Sequence, residues 1–81
     1  MADIDSVLKD LYQSEINFEL STFWDAGYTI RLGDKLNGFV GESDMLDTLT
    51  EVACEIVKMV IKHFPKSDFA KKYSGVLDKD E

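Results

Sequence analysis

Between Ile16 and Leu32 the chain alternates apolar and polar residues about a central Asp25-Ala26-Gly27, a pattern that restricts this stretch to a β-hairpin. Ile16, Phe18, Leu20, Thr22 and Trp24 fall on one side of the first strand, with Asn17, Glu19, Ser21 and Phe23 on the other. Tyr28, Ile30 and Leu32 alternate with Thr29 and Arg31 in the second. With Asp25–Gly27 as the loop, Trp24 faces Tyr28, Thr22 faces Ile30 and Leu20 faces Leu32. Both strands then turn their apolar sets to one side, and a slip of one residue would undo this. On the opposite side Phe23 faces Thr29 and Ser21 faces Arg31, with Glu19 diagonal to Arg31.

The rest of the chain supplies what covers that hairpin. Residues 3–12 read as a short helix with Ile4, Val7, Leu8 and Leu11 on one face and Asp3 as N-cap. Gly33 to Gly38 holds two turn signals, Gly-Asp and Asn-Gly, without fixing one turn. A third strand follows over about 38–43. Residues 44–64 form a long amphipathic helix, capped by Ser43 or Asp44 and stopped by Pro65. Its acids lie at the start and its lysines at the end, as the helix dipole favours. Its buried arc is Met45, Leu46, Leu49, Val52, Ala53, Ile56, Met59, Val60 and Phe64. Ser67 caps a short last helix over 68–73, where Phe69 and Tyr73 stack, and Gly75 ends it. The expected architecture is one compact α+β domain over 1–75, in the order α-β-β-β-α. A three-stranded antiparallel sheet carries the helices on one face, with a short C-terminal helix and a flexible acidic tail at 76–81.

Composition narrows the function. The 81 residues carry a formal charge of −7, unevenly spread. Residues 1–57 hold twelve acids against three bases, and residues 58–73 hold five lysines against Asp68. Such a surface repels nucleic acid and anionic membranes over most of its area. The most apolar stretch, Val52 to Phe64, is interrupted by Glu55, Lys58 and Lys62, so a membrane span is not expected. The acidic N-terminus does not read as a signal peptide. A lone cysteine, Cys54, leaves no internal disulfide and points to a reducing, cytoplasmic setting.

Catalytic and metal chemistry lack a constellation. His63, the only histidine, has no accompanying Ser or Cys motif. Cys54 lies about 180° from it around the same helix, so the two cannot pair there or share a metal. The acid pairs Asp44/Asp47 and Glu51/Glu55 fall on the solvated helix face. Gly33, Gly38 and Gly41 suit turns or bulges rather than a phosphate loop. Neither an enzyme nor a cofactor or metal is expected.

What remains is the open face of the sheet. Glu19, Phe23, Arg31 and Phe39 are expected there, an aromatic and arginine composition typical of binding hot spots. A strip of Thr50, Cys54, Val57 and Ile61 on the long helix is a second apolar surface, read as internal packing or a dimer contact; monomer and homodimer both fit. A protein partner is expected and nucleic acid is not.

Two resemblances bear on the partner. In size and charge the chain is similar to small inhibitors encoded by mobile elements, such as anti-CRISPR proteins. That implies an acidic inhibitor occupying a basic, nucleic-acid-binding groove of another protein. In element order it resembles double-stranded-RNA-binding domains, which implies a nucleic-acid binder using the C-terminal lysines at 58, 62, 66, 71 and 72. Those domains carry lysines at the start of the last long helix, where this chain has Asp44, Asp47 and Glu51.

Overall fold

The computed structural model describes residues 3–80, with side chains through Ser74. Helix α1 (Ile4–Gln13) leads into strands β1 (Phe18–Phe23), β2 (Gly27–Asp34) and β3 (Gly38–Glu42), followed by helices α2 (Leu49–His63) and α3 (Asp68–Asp80). The strands form one antiparallel sheet in the order β1-β2-β3.

Asp3 starts α1 by accepting a hydrogen bond from the Ser6 amide at 2.8 Å. The helix closes with a pair of reversed bonds: Ile16 N–H donates to the Leu11 carbonyl, and Glu15 N–H to the Tyr12 carbonyl. Leu11 and Ile16, brought together by this closure, are both buried.

The hairpin keeps the expected faces, but its register is offset by two residues. Glu19 lies directly opposite Arg31, Leu20 opposite Ile30 and Phe23 opposite Gly27. An even offset leaves every side chain that stays within the two strands on its original face. The loop is therefore Trp24-Asp25-Ala26, closed by the Ala26 amide on the Phe23 carbonyl at 2.9 Å. Gly27 belongs to the strand because Tyr28 and the chain beyond β3 meet there. Tyr28 and Leu46 exchange backbone hydrogen bonds, both 2.8 Å, and a Cβ on Gly27 (φ +129°) would stand 2.1 Å from the Leu46 carbonyl oxygen. Trp24, expected opposite Tyr28 on the core side, is instead 98% exposed in the loop.

The second hairpin turns through Lys35-Leu36-Asn37. Asp34 organises it, accepting from the amides of Leu36 (2.8 Å) and Asn37 (2.6 Å). The ladder shifts between Leu32 and Gly33, so Val40 is an extra residue in β3. A Cβ on Gly33 would meet the Gly38 carbonyl oxygen at 2.4 Å, so this crossing of the strands requires glycine.

Helix α2 begins at Leu49, not near residue 44. Ser43 and Leu46 are held to β2: Ser43 N–H donates to the Ile30 carbonyl at 2.9 Å, and Ser43 Oγ accepts from the Ile30 amide at 3.0 Å. These sheet bonds outcompete another helical turn, and Thr48 becomes the cap, its Oγ1 accepting from Glu51 N–H at 3.1 Å. Met45 and Leu49, expected in the buried arc, are exposed.

Val52, Ala53, Ile56, Val57 and Val60 of α2 form the centre of a single core with Ile30 and Leu32 of β2, Val7 and Leu11 of α1, and Phe69, Ala70 and Tyr73 of α3. Each large side chain fully buried here contributes roughly 1.5–3 kcal/mol. Ser67 caps α3 by accepting from the Ala70 amide at 3.1 Å, and the Phe69 and Tyr73 rings stand 4.5 Å apart. The helical backbone continues through Gly75 to Asp80, beyond the expected end at 73. The side chains of the acidic tail at 76–81 lie outside the described residues.

Candidate binding surface

All of the packing above is on one side of the sheet. Strand alternation turns Glu19, Ser21 and Phe23 of β1, and Thr29 and Arg31 of β2, to the other side. The bulge in β3 then decides which residue joins them. With Val40 taken up as the extra residue, Phe39 pairs with Gly33 and Glu42 with Arg31, and both share the Arg31 face.

Arg31 is the centre of that face. Its Nη2 lies 3.3 Å from Glu19 Oε1, its Nε 3.6 Å from Glu42 Oε2, and its guanidinium carbon 4.6 Å from the centre of the Phe39 ring. The carboxylates fix the guanidinium from two sides, and the aromatic face supports it from below. With the Arg31 side chain 37% exposed, these ion pairs add little to folding stability. Three of the four expected site residues, Glu19, Arg31 and Phe39, are thus brought together. Phe23, 46% exposed, lies at the far end of the same strand, about 13 Å from Glu19 at roughly 3.3 Å per residue. Glu42 was missing from the expected set; the third strand was legible, but its bulge, which aims Glu42 at Arg31, was not.

The hairpin tip carries the largest exposed side chain, Trp24. It borders a small cleft with Phe23, Asp25, Gly27, Tyr28 and Asp47. Reading the loop one residue earlier, with Gly27 as its closing strand residue, is the signal that would have placed Trp24 in solvent.

Elsewhere the titratable groups are occupied. The Tyr73 hydroxyl and Lys72 Nζ (2.9 Å) both donate to Asp10 Oδ2, clasping α3 to α1. The Tyr73 hydrogen bond, with Lys72, holds the Asp10 carboxyl below its usual range, and burial, with the Asp10 carboxylate, pushes the Tyr73 phenol up. Lys72, one of the five C-terminal lysines, is thereby paired with Asp10, its side chain 61% exposed. Of the strip on α2, Val57 is buried and Ile61 packs on the core, while Thr50 is exposed. Among the described residues no three His, Cys, Asp or Glu side chains converge as metal ligands. No helix among them is long and apolar enough to cross a membrane.

Comparison with known protein families, curated proteins and solved structures finds no match to this chain.

Proposed function

We propose that the protein is a non-catalytic binding module whose uncovered sheet face docks on a basic protein partner. The observation that carries this reading is the Arg31 cluster: an arginine held between Glu19 and Glu42 over Phe39, on a face that no described element covers. An arginine already engaged by two carboxylates and an aromatic ring loses less side-chain entropy on binding than a free one, which favours affinity. Aromatic and arginine side chains are the residues most enriched in binding hot spots. The acidic body supplies long-range attraction to a cationic surface and raises the rate of encounter. A groove that otherwise holds nucleic acid has that character, and occupying it would inhibit the partner.

The test is capture from native lysate with and without nuclease, comparing wild type with a Phe23→Ala/Arg31→Ala variant. A nuclease-resistant protein retained by wild type and lost with the variant is the expected result. Recovery of nucleic acid with no such protein, abolished by neutralising Lys66, Lys71 and Lys72, would replace this reading with the nucleic-acid one.

A further inference from the structure

From the geometry of the hairpin tip we infer a second contact, resting on the binding-module reading. Trp24 is an anchor that enters an apolar pocket rimmed by lysine or arginine on the same basic partner. Trp24 is the only tryptophan, and it stands free of the core at the end of the β1–β2 hairpin. Its neighbours make the surface around it both apolar and anionic. Phe23 precedes it, and Met45 Cγ would lie 3.5 Å from a Cβ on Gly27, at the base of the loop. Met45 and Phe23 are each 46% exposed. Asp25 is in the loop, and Asp47 lines the same cleft.

Among the described residues neither Asp25 nor Asp47 forms an ion pair. Residues 20–30 and 43–48, joined by the Tyr28–Leu46 hydrogen bonds, contain Asp25, Asp44 and Asp47 and no Lys, Arg or His. An exposed tryptophan surrounded by carboxylates complements an apolar pocket with a basic rim. An anionic membrane would be repelled. The loop is also anchored. Its base is pinned by the Tyr28–Leu46 hydrogen bonds and by a glycine that no other residue can replace without displacing Leu46. A pinned base fixes where the loop presents the indole, so little backbone freedom is lost on binding.

The single tryptophan reports directly on its own environment. The probe is a synthetic amphipathic helical peptide of leucine and lysine. Its controls are the same peptide with glutamate in place of lysine, and oligolysine. The expected result is a shift of tryptophan emission to shorter wavelength, with protection from acrylamide, for the leucine–lysine peptide alone. High salt and the Asp25→Asn/Asp47→Asn variant should suppress it. By titration of labelled peptide, Trp24→Ala should bind about thirtyfold more weakly, as loss of a hot-spot residue implies. Trp24 touches no core residue, so this variant folds, and circular dichroism checks it.

Absence of any shift, an equal shift with the glutamate peptide, or unchanged affinity in Trp24→Ala would each overturn the inference. So would emission changes with neutral phosphatidylcholine vesicles but not with peptide. Arg31→Ala distinguishes the two readings. If it abolishes peptide binding while Trp24→Ala does not, the tip contact fails and the sheet-face reading stands. The reverse pattern retains the tip and removes the peptide's support for the sheet face.

Discussion

Glu15 sits at φ 59°, the only non-glycine residue in the left-handed region among the described residues. It occupies the position after α1 where glycine is ordinarily found, and a side chain there costs about 1–2 kcal/mol. Glu15→Gly is expected to raise stability by about 1 kcal/mol in urea unfolding, the relief of strain being partly offset by the freer unfolded chain. Nothing in the composition marks this site, because the reversed bonds that define it depend on where α1 stops. The Asp10 clasp makes a pH-dependent prediction. The folded pKa of Asp10 is depressed, so its contribution is present above the ordinary carboxylate range and is lost as pH falls through and below about 4. The folded pKa of Tyr73 is raised, so its contribution is full below pH 10 and declines as pH rises further. Tyr73→Phe should flatten the alkaline limb and weaken the acid one, costing about 1.5–3 kcal/mol at neutral pH, as expected for a hydrogen bond to a charged group. Equilibrium unfolding at a series of pH values measures both limbs.

At the level of elements, the competition between sheet and helix over residues 43–48 decides the shape of the molecule. If Thr48 is the cap, Thr48→Ala should destabilise by about 1 kcal/mol while Asp44→Ala changes stability by less than about 0.5 kcal/mol. Thermal unfolding of the two variants distinguishes this start from one at residue 44. The spacing Thr48-x-x-Glu51 is a capping box and was legible. The crowd of acids upstream obscured it by imitating an earlier helix start. The hairpin shows the same division. Alternation fixed which side chains share a face, because a period of two tolerates only even slips. It could not distinguish two even registers, and that choice rests on the close approach of Leu46 to Gly27, a contact 19 residues apart in the chain. The bulge at Val40 is likewise a tertiary feature, and with it went the placement of Glu42. Glu19, Arg31 and Phe39 were legible as neighbours because alternation and a single arginine suffice to place them.

For the whole molecule, the separation of roles is between a packed side, where α2 gathers both other helices onto β2, and an open side that ends in Trp24. The charge divides differently, along the chain: acids dominate the first 57 residues, which include α1, the whole sheet and the start of α2, and lysines dominate the short stretch after them. An open face with little role in stability can be altered without loss of the fold, so Arg31→Ala should leave the melting temperature nearly unchanged while removing binding. The most direct measurement is site-specific photo-crosslinking in native lysate, with a photoreactive residue placed at Ser21 on the open face or at Lys58, exposed on α2. A nuclease-resistant protein adduct is expected from position 21 and none from position 58. An adduct from position 58 alone, or crosslinks to nucleic acid in place of protein, would contradict the sheet-face reading.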